Sequence, residues 1–233
     1  MKTWKQIKIN IKLLIRFKND FLSKDLFKFS KETKDKFIFD YKVTISQKIM
    51  PSQTFGNKLY NIELASKRIN RHILKPNQIF SFFKIIGNPN HGFKKSRTLV
   101  NGKLEQENGG GMCQVSGIVY QMSLITGLEI LERHNHSVDI YTEEERFTPL
   151  GADATVVYGS KDLIFQNNFD FPIRFNFVFN SNYITCHLKS LNPIMEAEVE
   201  FKRDYLEDKI LVHTLVNKEI KYQSSYKIIS PEH

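Results

Sequence analysis

An α+β fold, with few helices packed on a mostly antiparallel sheet, is predicted by three features of the 233-residue chain. Helical spacing of apolar residues appears in a few windows, all before residue 127. Beyond residue 127 the apolar period drops to two, in short runs separated by Gly, Asn and Asp. The composition, 41% hydrophobic and 25% charged, is that of a chain able to bury a core. We expect a basic amphipathic N-terminal segment over residues 1–50, a main domain over 51–195 and a β extension over 196–233.

The N-terminal segment holds most of the charge imbalance. Residues 1–48 contain 13 Lys/Arg and 5 Asp/Glu, a net of +8 out of the chain's +9. The body is therefore near neutral, which argues against nucleic acid as a partner, since such domains carry the basic stripe on the folded surface. Trp4, Ile7, Ile11, Leu14, Phe21 and Leu22 approximate one helical stripe, with Lys5, Lys8, Lys12 and Arg16 mostly off it. Two arrangements fit: the stripe docks on the body and the lysines are solvated, or the helix lies in the headgroups of an anionic membrane through residues 1–30. The docked arrangement is the expectation, and residues 1–48 are expected to be dispensable for folding of the body. Leu13-Leu14-Ile15, flanked by Lys12 and Arg16, is too short for a secretory signal, and no run of about 20 apolar residues could cross a bilayer. The expected location is cytoplasmic, or peripheral at the inner membrane face.

After a polar stretch ending near Gln53, Ile62, Ala65, Ile69 and Ile73 predict a helix that stops before Pro76. The next run, KPNQIFSFFKIIG, reads as a turn followed by strand or loop. From Val115 the positions Ile118, Val119, Met122 and Ile125 predict a second helix, with Gly127 as its stop. A strand from Leu128 is expected to run into His134 and His136. ATVVYG, LIFQNN, PIRFNFVF and YITCHLK read as further strands, then AEVEF, ILVHTL and EIKYQ. Two cysteines are too few for a disulfide framework. Cys186, flanked on its own face by Ile184 and Leu188, reads as a small buried hydrophobe.

The chemistry gathers around Cys113. It stands where a helix begins, and the partial positive charge there favours thiolate over thiol. The preceding Gly109, Gly110 and Gly111 let backbone turn sharply, and their N–H groups could face a developing oxyanion, with Gln114 and Ser116 beside them. His134 and His136 are expected on one strand face, and Asp153 follows in LGADATV. A Cys nucleophile, a His base and an acid that orients it are the minimum for cysteine acyl transfer. Blander readings stand beside this one: a structural cysteine, a hydrogen-bonded core histidine, an aspartate that caps a turn. Zinc is a second reading, with Cys113, His134 and His136 as ligands, although the spacings are not the tight ones of structural sites.

Three runs carry a resemblance: NGGGMCQVS (108–116), GLEILERHNHS (127–137) and GADATVVYG (151–159), supported by DLIFQNNFDFPIRF (162–175). Together, and in this order, they resemble the VanW family of bacterial proteins, named from glycopeptide-resistance (vancomycin-resistance) gene clusters. The resemblance covers about half the chain. It implies a cell-wall function and, by analogy with members regarded as L,D-transpeptidases, a thioester on Cys113 with an acyl-donor peptide of peptidoglycan type. His134 or His136 would then be the base, Asp153 its orienting acid and Gly109–Gly111 the oxyanion loop, with no cofactor. The alternative is a non-catalytic accessory module of the cell envelope, with or without bound zinc.

Overall fold

The computed structural model describes residues 3–33, 35–100, 103–139, 146, 148–180 and 182–228. Helix α1 (Trp4–Leu22) is capped by the Thr3 hydroxyl, which accepts from the Gln6 amide at 3.3 Å. It is followed by strand β1 (Tyr41–Lys48) and helix α2 (Phe55–Ile69). Strand β2 (Ile79–Ser81) runs directly into the short helix α3 (Phe82–Ile86). Strands β3 (Lys95–Val100) and β4 (Lys103–Asn108) form a hairpin ahead of α4 (Met112–Thr126). Then come β5 (Glu129–Glu132), β6 (Val138–Asp139), β7 (Ile164–Gln166), β8 (Ile173–Asn180) and β9 (Tyr183–Ser190). The chain closes on β10 (Val199–Tyr205), β11 (Lys209–Val216) and β12 (Glu219–Ile228).

These strands make the α+β architecture that the change of period predicts. One sheet has the order β1-β9-β8, a second β10-β11-β12-β6 and a third β2-β7-β5; every pairing is antiparallel except β12 with β6. The main core lies where α2 and α4 pack on the first and third sheets, around Ile62, Val119, Tyr120, Phe165, Phe175 and Leu188. Helix α4 is apolar on nearly every side and buried accordingly.

Several elements depart from the expectation, each for a local reason. Helix α2 ends at Ile69, not near Pro76, because Asn70 is stitched to β8: its Oδ1 accepts from the Phe177 amide at 2.7 Å and its Nδ2 donates to the Phe177 carbonyl at 3.1 Å. The run FFKII, expected as strand or loop, is α3. The Ser81 hydroxyl and the Asp162 carboxylate accept from the Lys84 and Phe83 amides at its start. ATVVYG is not a strand, since the Thr155 amide leaves any ladder for the His134 carbonyl at 2.7 Å. In the stretch read as polar, β1 pairs along its whole length with β9 and buries Val43 and Gln47. Residues 1–50 therefore include a strand of the body's own sheet, and the idea that 1–48 are dispensable does not fit this pairing.

The docked stripe on α1 is also overturned. Ile9 and Leu13 lie against Gly159, where a Cβ would come within 3.0 Å of Ile9. Arg16 grips Glu132 through two bonds of 2.6 and 2.9 Å, and Asp20 pairs with Lys84 at 2.8 Å. These contacts set the helix's rotation. The stripe of Trp4, Ile7, Ile11, Leu14, Phe21 and Leu22 is left on the solvent side.

Two predictions follow from this packing. Deleting residues 1–48 removes β1 and should abolish cooperative thermal unfolding, whereas deleting 1–23 should preserve it; a melt of each truncate decides. Cys186 is fully buried in β9, and burial pushes its thiol up. Cys186→Val should cost about 0.5–2 kcal/mol from imperfect volume match, read from denaturant midpoints. In the native parent a thiol reagent should leave Cys186 unmodified.

Candidate functional site

Cys113 is the second residue of α4 and half-buried. The glycines before it place the helix start. Gly111 caps α4 at φ 102°, and Gly110 packs so closely that a Cβ would stand 2.7 Å from the carbonyl oxygens of Ser96 and Arg97 in β3. The Gly109 amide is committed to the Lys94 carbonyl at 3.1 Å. Gln114 and Ser116, expected in a substrate loop, make scaffold contacts: Gln114 Nε2 donates to the Lys48 carbonyl (2.8 Å) and Ser116 Oγ to the Ala154 carbonyl (2.6 Å). Ser116 thereby ties the cysteine helix to the segment that carries Asp153.

The two histidines separate. Strand β5 stops at Glu132, and both lie in the extended segment beyond it, not on a strand face. His134 Nε2 turns to Glu132 at 3.1 Å, the carboxylate that also holds Arg16 and accepts from the Asp162 amide at 2.8 Å. His136 turns the other way: its Nδ1 meets Asp153 Oδ2 at 2.6 Å, and its ring interacts electrostatically with Cys113. Since Nδ1 serves Asp153, Nε2 is the nitrogen left for the sulfur. Cys113, His136 and Asp153 are thus brought together, while His134 is not. The zinc set of Cys113, His134 and His136 is not assembled, and among the described residues no group of three or more His, Cys, Asp and Glu is placed to hold a metal ion.

Asp153 is held by more than its histidine. Oδ2 also accepts from the His136 backbone amide at 2.7 Å, while Oδ1 accepts from Arg133 Nη2 at 3.0 Å and from the Tyr226 hydroxyl. Arg133 is itself fully engaged: Nε donates to the Asp153 carbonyl (2.8 Å), Nη2 to the Gly151 carbonyl (2.9 Å) and Nη1 to Ser224 Oγ, and its guanidinium lies 4.7 Å over the Tyr120 ring. Sequence reasoning missed Arg133, Tyr226 and Ser224. Arg133 immediately precedes His134 in ERHNH, so a charge at that place in the run was the available hint. Nothing in the sequence links Tyr226 or Ser224 on β12 to the cysteine.

A family model described as VanW like protein matches residues 57–189. The chain belongs to the VanW family. It is 37% identical over 119 residues to the uncharacterized protein YoaR of Bacillus subtilis (strain 168), a match covering 50% of this chain and 38% of that protein. It is 36% identical over 116 residues to the vancomycin B-type resistance protein VanW of Enterococcus faecalis (strain ATCC 700802 / V583), covering 49% of this chain and 42% of that one. The match thus spans about two fifths of each relative's length. No solved structure matches the chain. Cys113, His136, Asp153 and Arg133 lie inside the VanW match, whereas Ser224 and Tyr226 lie beyond it.

The electrostatics follow from the contacts. Burial pushes the Cys113 thiol up, but its interaction with the His136 ring and the Val156 amide outweighs it, leaving the thiol below its ordinary range. Burial lowers His136, but Asp153 and Cys113 more than offset it, so the imidazolium is strongly favoured. Burial raises Asp153, but His136 and Arg133 bring it down to about 2. Thiolate and imidazolium therefore titrate as a coupled pair.

Alkylation of Cys113 should accordingly persist well below pH 8.5, the ordinary thiol midpoint of roughly this value. His136→Ala removes the positive partner and should move the alkylation midpoint up by roughly 1–3 pH units. His134→Ala should leave it in place. A midpoint near that of a free thiol, unmoved by either variant, would falsify the paired thiolate. A second expectation concerns stability. Asp153 is depressed on folding, so its contribution is present above the unfolded carboxylate pKa near about 3.9 and drains as pH falls toward the folded value. Asp153→Ala strands Arg133 and should cost about 3–5 kcal/mol at pH 7, with a smaller loss on acidification to pH 3 than the parent shows.

Proposed function

We propose that this VanW-family chain is a cysteine-dependent acyl transferase acting on a peptide of peptidoglycan type, in a cell-wall role related to glycopeptide resistance. The observation that carries the reading is the relay Cys113–His136–Asp153, with the thiol depressed and the imidazole oriented through Nδ1. The name of the Enterococcus faecalis relative supports the resistance setting, and a resistance function directed at wall precursors makes their amide bonds the natural substrate.

In this scheme the Cys113 thiolate attacks the carbonyl carbon of the donor amide, and the new C–S bond pushes charge onto the carbonyl oxygen. The positive end of α4, where Cys113 sits, stabilises that charge. As the C–N bond breaks, the His136 imidazolium gives its proton to the leaving amine. His136, now neutral, takes a proton from an acceptor amine or from water as it attacks the thioester. Loss of the C–S bond returns the thiolate–imidazolium pair. Asp153 stays ionised throughout and holds the tautomer, while Arg133 balances its charge.

Intact-mass measurement tests this directly. Incubating the full chain with stem tetrapeptides should add the mass of the donor less its leaving amine. The adduct should be absent in Cys113→Ala and at least about 100-fold slower to form in His136→Ala, in the range typical of losing a general acid–base. A reactive Cys113 that alkylates readily yet gains no acyl group from any stem peptide would exclude this substrate class.

A further inference from the structure

Helix α1 presents to solvent the face that a helix in a folded protein ordinarily hides. At about 100° per residue, Phe21, Leu14, Ile7, Ile11, Trp4 and Leu22 fall within an arc of roughly 120°. Ile9, Leu13, Arg16 and Asp20, which hold α1 to the body, lie on the opposite side. The outward residues are bare: Trp4 is 69% exposed, Leu14 68% and Leu22 67%. An apolar stripe of this length left in water marks an interaction surface.

Its surroundings say what covers it. Lys18 sits within the arc and Lys8 beside it, both exposed. Lys8 places its ammonium 5.4 Å from the Trp4 ring, at the edge of the apolar face. The one acidic residue of α1, Asp20, is turned inward to Lys84. The outward face thus joins aliphatic and aromatic side chains to lysines with no carboxylate among them. Lysine stems can lie along an apolar surface while their heads remain at the level of phosphate groups. No helix among the described residues is long and apolar enough to cross a membrane. The lysine-flanked stripe has the form of a helix that lies in the plane of the interface.

We infer that the outward face of α1 docks the protein on an anionic lipid bilayer, with Trp4, Ile11 and Leu14 entering the headgroup–acyl boundary and Lys8 and Lys18 meeting lipid phosphates. Because Arg16 and Asp20 already fix α1 on the body, the helix is ordered before it meets the membrane. Docking therefore brings the body, with Glu132 and the segment that leads to His136, to a set orientation on the surface. This surface stands independently of the acyl-transfer reading.

Trp4 is the chain's single tryptophan, so its emission reports on this face alone. The full chain is mixed with vesicles of phosphatidylcholine and phosphatidylglycerol in equal parts, and separately with pure phosphatidylcholine. Binding to the anionic vesicles should be at least about tenfold tighter, with a blue shift of Trp4 emission, and should weaken as salt rises. The double variant Ile11→Glu/Leu14→Glu alters exposed side chains and should keep the parent's melting temperature while losing at least about tenfold in binding. Lys8→Glu/Lys18→Glu should erase the preference for the anionic lipid. Absence of binding to anionic vesicles, or binding that the Ile11/Leu14 variant leaves intact, overturns the inference. So does a dimer in solution that this variant dissociates while vesicle binding is absent, because the stripe would then belong to a second copy of the chain.

Discussion

The buried ion pair of Arg133 and Asp153 is the constraint on which the site's geometry depends. Side chains 7% and 15% exposed place both charges largely out of water, where an unpartnered charge is strongly destabilising. The pair is tolerated because each member is satisfied several times over. Asp153 accepts from His136 twice, from Arg133 and from Tyr226, while Arg133 donates to two backbone carbonyls and to Ser224. Each bond ties down a different stretch of chain. The segment after β5, the loop at 151–155 and β12 are drawn to one carboxylate, and Ser116 joins α4 to the same loop.

That constraint explains why the strand ends where it does. The backbone amide of His136 goes to Asp153, and the His134 carbonyl goes to Thr155, so the segment cannot also serve a sheet ladder. Without the strict alternation of a strand, residues two apart need not share a face. His134 is then free to turn to Glu132, where it joins Arg16 in holding α1, and His136 alone meets the sulfur. Two histidines that look equivalent in the sequence thus serve two different structures: one helps seat a helix, the other faces the thiol.

The glycines before Cys113 show a similar division. Gly110 is required by close packing on β3, Gly111 by packing on α2 and a left-handed cap, and Gly109 by its own positive φ of 91°, so the fold accounts for the loop's composition. The tight packing also fixes the start of α4 against the body, which holds Cys113 at a set distance from His136. Rigidity around a nucleophile favours catalysis by limiting the reorganisation needed at the moment of reaction.

Local pattern determined a good deal. The helical period and Gly127 located α4, the two-residue period located β8 to β12, and the motif order around Cys113 pointed to the VanW family and to Cys113, His136 and Asp153 among a handful of candidates. These features are legible because they depend on near neighbours in the chain. What remained hidden depends on distant ones. Strand β1 is recognisable only beside β9, α3 only through the Asp162 carboxylate that caps it from 79 residues away, and Tyr226 only where β12 crosses to Asp153. The rotation of α1 belongs to the same class. Its stripe was plain in the sequence, but an apolar face has no direction of its own. Ion pairs with Glu132 and Lys84, distant in the chain and adjacent only in the fold, turned it outward.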